Sequence, residues 1–161
     1  MFRYPWLALG LLGCASVSAP ATRATALPPV AITRIDGQPE SLKVALAGSV
    51  AVIDLWATWC TACEQERPKL ERLHAAYGSQ GLRVIGLNVG ESRSVINAYL
   101  AEKRISYPIF LDPDFRMADA LGEKRLPTIL VVDRAGRIVL RSATLDAETL
   151  ATIKSQLTPK P

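Results

Sequence analysis

The spacing of hydrophobic residues along the chain alternates between the patterns of strands and helices. Val50–Trp56 is a continuous apolar run broken only by Asp54, which is typical of a buried central strand. Beyond Cys60 the apolar residues recur at helical spacing as far as Tyr77. The segment "LRVIGLNV", Leu82–Val89, predicts the next buried strand.

The second half of the chain continues this alternation. A helix is predicted with Ser92 or Ser94 as its N-cap. Its predicted inward-facing residues are Val95, Ile96, Tyr99 and Leu100. The segment "YPIFLD" predicts a strand, and Asp114 is predicted to cap a short helix that runs to Leu121 and is ended by Gly122.

Two hairpins and a closing helix complete the pattern. An Asp36-Gly37 turn separates two apolar segments near the start, and Gly136 lies in a polar turn between two later apolar runs. Asp146 is a good N-cap for the final helix. Strands that alternate with helices and end in a hairpin and a helix predict an α/β sandwich with a mixed sheet.

Composition sets the number of domains and argues against one class of partner. The 161 residues are 49% hydrophobic and 21% charged, which suits a single domain with one core. The formal net charge is +4, but the basic residues are scattered and form neither a run nor an aromatic-interleaved stripe. We therefore interpret the charge as a solvated surface and expect no nucleic-acid partner.

The first residues, "MFRYPWLALGLLGC", have the order of an export signal. "LLGC" resembles the lipobox of bacterial lipoproteins, which assigns residues 1–13 to a signal peptide and Cys14 to a lipid anchor. Two alternatives remain: cleavage after Ala26, which leaves a soluble protein, and an uncleaved anchor, although the apolar run is shorter than the ~20 residues of a span. All three place the protein outside the cytoplasm, and lipidation places it at a membrane facing the periplasm or an equivalent compartment.

Residues 14–29 are rich in Ala, Ser, Thr and Pro and lack apolar periodicity. Such a segment cannot bury enough surface to fold, and we expect a flexible tether. The folded domain is then predicted over residues 30–158.

Two of the three cysteines, Cys60 and Cys63, stand three positions apart at the predicted start of a helix. Residues at this spacing share a helix face, with α-carbons close enough for a disulfide. Cys60 is then the outer residue, near free amide protons and the positive end of the helix dipole, which favour its thiolate. We expect a reachable Cys60 to be the nucleophile and Cys63 the resolving thiol, with no metal or organic cofactor.

A permanent cross-link or half of a metal site would also use such a pair. A structural zinc site needs four ligands, and beyond this pair the chain offers only Cys14 in the leader and a lone His74. A disulfide across so few residues closes too small a loop to add much stability. Redox exchange is therefore the favoured hypothesis.

The segment "WATWCTAC" resembles the active-site sequence of the thioredoxin superfamily, and residues 30–157 resemble its TlpA-type extracytoplasmic branch. The resemblance implies an α/β, thioredoxin-like three-layer sandwich with a central mixed β-sheet, an N-terminal hairpin and a helical insertion over residues 92–104. Pro68 corresponds to the proline that bends the active-site helix. "RLPTILVVD" implies that Pro127 is a cis-proline against the cysteine pair, which presents backbone atoms to an extended partner segment.

The resemblance also assigns a role to Asp54, which falls where thioredoxins have a buried acid. A carboxyl group in an apolar strand should have a raised pKa, which lets it accept the proton of Cys63. Thioredoxins pair this acid with a lysine where this chain has Gly86, which implies weaker tuning of Asp54. The alternative is that Asp54 sits at a strand edge in water.

Further residues around the pair are candidates for contact with a substrate. Trp56 and Trp59 bracket the motif and offer a flat apolar surface, although simple packing is the alternative for Trp56. The expected substrate-contacting residues are Trp59, Thr61, Ala62 and Leu126. The superfamily often has Gly-Pro in place of Thr61-Ala62, and this pair influences the reduction potential, so the direction of electron flow stays open.

The sequence thus predicts a protein-disulfide oxidoreductase, most consistent with a reductase. Its expected partners are exported cysteine-containing proteins, such as apocytochrome c, and a membrane electron carrier that recharges it. A disulfide oxidant is one alternative. A copper-binding assembly factor of the same fold is another, but it is expected to have a wider cysteine spacing and a distant histidine. A peroxidase is a third, but "IDLWATWC" lacks the Pro and Thr expected ahead of its cysteine.

Overall fold

The computed structural model describes residues 25–46 and 48–158. Within them, eight strands form one sheet. They are β1 (Thr25–Ala26), β2 (Ala31–Arg34), β3 (Pro39–Ser41), β4 (Val50–Trp56), β5 (Leu82–Val89), β6 (Ile109–Asp112), β7 (Thr128–Val132) and β8 (Arg137–Ser142). The strand order is β1-β8-β7-β4-β5-β6-β2-β3. Neighbours β4, β5 and β6 run parallel and all other pairs antiparallel, so the sheet is mixed.

Five helices cover the two faces of this sheet in the described part of the chain. They are α1 (Leu42–Leu46), α2 (Thr61–Tyr77), α3 (Arg93–Glu102), α4 (Arg116–Leu121) and α5 (Ala147–Leu157). Helices α2, α3 and α5 pack on one face with Val52 and Trp56 of β4. Helices α1 and α4 pack on the other face with Ile53 and Leu55. Because side chains of β4 alternate between two cores, the predicted three-layer sandwich is confirmed.

Most predicted elements are present. Strands β4 and β5 have the predicted bounds, because their mainly apolar residues are buried on both faces of the sheet, with Arg83 as the one exposed residue of the two strands. The first hairpin, β2–β3, turns at Asp36-Gly37, and the second, β7–β8, turns at Gly136 with φ 76°. Ser92 caps α3 and Asp146 caps α5 through their side-chain oxygens. Pro68 lies inside α2, and α3 is the predicted insertion.

The cap of α4 differs from the prediction. Asp114 is exposed, whereas Asp112 at the end of β6 accepts the amide protons of Met117 and Ala118 at 2.9 to 3.1 Å. Phe115 has a φ of 58° and brings the first turn of α4 back over the strand end. The buried carboxylate of Asp112 therefore reaches the free amides that Asp114 was expected to satisfy.

Two smaller predictions are also wrong. Val95 is 45% exposed, because α3 contacts the core through a narrow stripe around the fully buried Ile96. The strand predicted for "YPIFLD" begins only at Ile109. Pro108 has no amide proton for the strand ladder, so regular pairing starts after it.

The end of the predicted tether belongs to the fold. Strand β1 pairs with β8, and the Leu27 N–H donates to the carbonyl of Gly136 at 3.0 Å. Leu27 and Val30 also pack against the core under α1 and α4. The predicted signal peptide and Cys14 lie outside the described residues. Over residues 25–46 and 48–158, no helix has both the length and the apolar character to cross a membrane.

Candidate active site

The cysteine pair lies where β4 ends and α2 begins. Cys60 is the N-cap residue of α2, and Cys63 lies in its first turn. Leu55, near the end of β4, is paired with Leu87 of β5 and with Thr128 at the start of β7. The loops that follow β4 and β5 and the loop that precedes β7 therefore meet at one edge of the sheet.

Cys60 and Cys63 form a disulfide whose α-carbons are 5.3 Å apart, within the range that the spacing predicts. The backbone N–H of Cys63 donates to the sulfur of Cys60 over 3.1 Å. Cys60 thus caps α2 with its own sulfur. An amide proton and the positive end of the helix dipole both favour negative charge on this sulfur once the disulfide is reduced.

Access to the pair is narrower than the sequence led us to expect. Cys60 is 5% exposed and Cys63 is 2% exposed, because both belong to the apolar core beneath α2. Thr61 and Ala62, which separate them, are exposed. Cys60 is slightly more exposed than Cys63, but the expectation of a reachable Cys60 is not met in the disulfide-bonded state, because both residues are buried.

The loop that precedes Cys60 is held by Glu91, a residue that the sequence analysis missed. Its carboxylate accepts the backbone N–H of Thr58 at 2.7 Å and also the Thr58 hydroxyl. It further accepts the side-chain amide of Asn88, a fully buried residue, at 2.7 Å. The end of β5 thus fixes a residue two positions before Cys60. The available signal was Asn88 near the end of a buried strand and Glu91 two residues beyond that end, since the carboxyl ends of neighbouring parallel strands meet.

Asp54 lies in the centre of the sheet and is 3% exposed, which excludes a strand edge in water. Burial raises the pKa of Asp54 to about 7, while the charge of Arg67 opposes the shift and that of Glu66 adds to it. The Oδ1 atom of Asp54 has no hydrogen-bond partner among the described residues. The raised pKa that an apolar strand predicts is therefore confirmed.

Gly86 is the direct register partner of Asp54 on β5. A Cβ atom at Gly86 would lie 2.6 Å from Cδ1 of Ile109 and 3.0 Å from Nε1 of Trp56. A lysine therefore does not fit at this position without displacing both neighbours. The cation that lowers the pKa of Asp54 is Arg67, and its effect is smaller than that of burial, so the pKa is raised. The expected weaker tuning of Asp54 stays a prediction.

A second buried carboxylate, Glu66, lies on α2 one turn beyond Cys63 and is 6% exposed. It accepts the Leu145 N–H at 2.9 Å, the Thr144 hydroxyl at 2.8 Å and the Lys69 ammonium at 2.7 Å. Burial alone would raise the pKa of Glu66, but these hydrogen bonds hold it below its usual value. The sequence gives no signal that Glu66 is buried and accepts these hydrogen bonds, since one Glu in a charged helix resembles a surface residue.

The two tryptophans next to the motif have different environments. Trp56 is 2% exposed, and its ring lies 5.5 Å from that of Tyr99 and 5.7 Å from the guanidinium of Arg67. Arg67 also lies 5.2 Å from the Tyr99 ring, so the three side chains join β4, α2 and α3. Trp56 is thus a packing residue. Trp59 is 69% exposed and remains the candidate for contact with a partner.

The Leu126-Pro127 peptide bond is cis, as the resemblance implies. Pro127 directly precedes β7, whose first residue pairs with Leu55, so it lies at the same edge of the sheet as the cysteine pair. Leu126 packs against the core cluster that contains both cysteines. In the part of the chain that is described, no group of three or more His, Cys, Asp or Glu side chains is placed to hold a metal ion.

Comparison with known proteins assigns the chain to a family. Residues 23–141 match the AhpC/TSA family. The chain belongs to the AhpC/TSA family. It is similar to the thiol-disulfide oxidoreductases ResA of Halalkalibacterium halodurans and Bacillus subtilis, with 32% and 30% identity over 94 residues. These matches cover 58% of this chain and 53% and 52% of the two ResA proteins, so the chain spans about half the length of the curated relatives it matches.

Solved structures resemble this AhpC/TSA family member over most of its length. A thiol:disulfide interchange protein of Chlorobium tepidum, described as a thioredoxin family protein, has a TM-score of 0.69 and 24% identity, and the match covers 85% of this chain and 99% of that one. A thiol:disulfide interchange protein of a Bacteroides species has a TM-score of 0.74 and 19% identity, with 85% and 91% covered. The predicted thioredoxin-like fold and superfamily are confirmed.

Proposed function

We propose that this protein is a thiol–disulfide oxidoreductase that reduces disulfides of exported proteins through Cys60 and Cys63. One observation carries the proposal. The sulfur of Cys60 caps α2 and accepts the amide proton of Cys63, the residue with which it forms a disulfide. The similarity to proteins named thiol-disulfide oxidoreductase ResA supports the same activity.

The reaction begins with the reduced protein, in which the Cys60 thiolate attacks one sulfur of a partner disulfide. The partner's S–S bond breaks, its second sulfur leaves as a thiolate and takes up a proton, and a mixed disulfide with Cys60 forms. Cys63 then loses its proton and attacks the sulfur of Cys60, which releases the partner's first sulfur as a thiolate that is protonated in turn. Two electrons have passed to the partner, and the Cys60–Cys63 disulfide remains.

Two acids support this sequence in different ways. Asp54 takes up the proton of Cys63, since a pKa of about 7 keeps both its acid and its carboxylate populated at neutral pH. Glu91 acts as a positioning residue through its hydrogen bonds to Thr58. The partner segment lies along Leu126 and Pro127, with further contacts to the exposed Trp59, Thr61 and Ala62.

The proposal extends to the place of action. An export signal over residues 1–13 and lipidation of Cys14 would tether the domain of residues 25–158 to a membrane on its extracytoplasmic, for example periplasmic, side. The "LLGC" sequence supports this anchor. A thiol electron carrier in the same membrane would reduce the Cys60–Cys63 disulfide after each turnover, and substrates such as apocytochrome c would be cysteine-containing exported proteins.

The direct test follows the reduction of insulin disulfides by dithiothreitol. The wild type is expected to accelerate the reaction, Cys60→Ser to abolish the acceleration, and Cys63→Ser to accumulate mixed disulfides because no thiol resolves them. Cys14→Ser is the matched control, which leaves the pair intact and should keep the full rate. Equal activity of Cys60→Ser and wild type would overturn the assignment.

The reduction potential separates a reductase from an oxidant. Equilibration with glutathione is expected to give a value near the about −270 mV of thioredoxin. A value near the about −120 mV of a strong oxidant would reverse the proposed direction of electron flow.

A further inference from the structure

A cavity of about 800 Å³ lies beside the cysteine site. It is lined by residues 122–128 together with Arg141, Ser142 and Ala143. Two of its lining residues connect it to the site: Thr128 pairs with Leu55 near the end of β4, and Leu126 packs against the core cluster that contains both cysteines. The cavity therefore adjoins the edge of the sheet at which an exchanging partner approaches.

The cavity has more positive charge than its own acid neutralises. Arg141 is paired with Glu123, the one acidic residue in the lining, and also donates to the carbonyl of Leu121 at 3.2 Å. Lys124 and Arg125 are exposed, and neither forms an ion pair within the described residues. Two cations in the lining thus lack a protein anion.

The backbone that presents these two cations is fixed on both sides. The Glu123 N–H donates to the carbonyl of Ala118 at 2.9 Å, which ties the segment to α4. The Thr128 hydroxyl donates to the carbonyl of Arg125 at 2.9 Å and to the Glu123 carboxylate at 3.3 Å. Binding an anion here therefore orders only the side chains of Lys124 and Arg125, because their backbone is already held.

We propose that this cavity selects the substrate: a disulfide-bearing polypeptide segment with an aspartate or glutamate within a few residues of the cysteine that Cys60 attacks. The inference rests on the proposed function and adds the class of substrate to it. A carboxylate suits the planar guanidinium of Arg125 and the ammonium of Lys124, which present only donors. Complementary charge speeds the encounter of such a segment, and a basic segment is repelled.

The test uses two disulfide-bonded peptides of one sequence, which differ only in having Asp or Lys at the positions next to the cysteine. The full chain is reduced first, and the rate constant for reduction of each peptide is measured at low and at high salt. We expect the wild type to reduce the Asp peptide about tenfold faster at low salt, with a smaller preference at high salt. Lys124→Glu/Arg125→Glu should reverse the preference, and Lys124→Gln/Arg125→Gln should remove it.

The control is Lys43→Glu/Arg83→Glu, which changes the net charge by the same amount as Lys124→Glu/Arg125→Glu does. Lys43 lies on α1, which packs on the sheet face opposite α2, and Arg83 lies near the start of β5, at the end of the sheet away from the cysteines. This variant should keep the preference for the Asp peptide. Equal rates in the wild type, a preference that survives in Lys124→Glu/Arg125→Glu, or a preference lost in the control would each overturn the inference alone. Failure to reduce either peptide would overturn the proposed function and this inference with it.

Discussion

The substitution Asp54→Asn tests the electrostatics of the site most directly. Asp54 is 3% exposed, and burial raises its pKa from 3.8 to about 7. The folded protein therefore holds this proton over a pH range in which the unfolded chain has released it. Asparagine has nearly the same shape and stays neutral at every pH, so the variant lacks this linkage between protonation and folding.

The sign and size of the effect follow from the two pKa values. Because the folded value is the higher one, the contribution of Asp54 to stability is most favourable below pH 3.8 and is lost as the pH rises through 7. At 1.36 kcal/mol per pKa unit, the loss is about 2 kcal/mol at pH 5 and about 4 kcal/mol at pH 8. The free energy of unfolding of Asp54→Asn minus that of the wild type should therefore grow by about 2 to 3 kcal/mol between these pH values.

The assay is urea unfolding of both oxidised proteins at pH 5 and pH 8. Any constant effect of the new amide on packing cancels, since only the change of the difference with pH is used. Asp114→Asn, at an exposed carboxyl group, shows what removal of one negative charge does without burial. If the difference in the free energy of unfolding between wild type and Asp54→Asn does not change with pH, the reasoning is refuted. Such a result would mean that Asp54 has the same pKa in the folded and in the unfolded chain.

Three further substitutions test other parts of the structure. Glu91→Ala leaves the donors of Thr58 and Asn88 without their acceptor and should lower the free energy of urea unfolding by about 2 kcal/mol; an unchanged midpoint would contradict the described hydrogen bonds. Gly86→Ala forces a Cβ into filled space and should cost about 1 to 3 kcal/mol by the same assay, whereas a stabilised variant would contradict the packing. Labelled palmitate should enter the wild type in cells but not Cys14→Ser, and label in both would rule out lipidation at that residue.

The sequence predicted the centre of the molecule well because its signals there are local. Strands β4 and β5 are mainly apolar segments, and their bounds could be read from the sequence. The cysteine pair, the helix that follows it and Pro127 lie in short motifs whose spacing is visible without the fold. The burial of Asp54 follows equally from its six apolar strand neighbours.

The supports of the site were missed because they join distant parts of the chain. Thr58 and Glu91 are 33 residues apart, and Glu66 and Leu145 are 79 residues apart, so no local pattern links them. The cap of α4 depended on the backbone of Phe115, whose φ of 58° is uncommon for a residue with a side chain and is invisible in the sequence. The tether prediction failed at residues 25–29 for a similar reason: backbone pairing to β8 requires no apolar periodicity.

Two buried carboxyl groups, those of Asp54 and Glu66, have pKa values shifted in opposite directions. The difference lies in their hydrogen bonds. Glu66 accepts three hydrogen bonds, and its pKa stays below the usual value despite burial. The Oδ1 of Asp54 has no partner within the described residues, the glycine opposite leaves no room for a cation, and its pKa rises to about 7. Glu66 therefore stays ionised at neutral pH and holds α2 to the segment before α5, while Asp54 changes its charge there. A residue that relays a proton must be able to lose and regain it at the working pH, and of these two acids only Asp54 meets that condition.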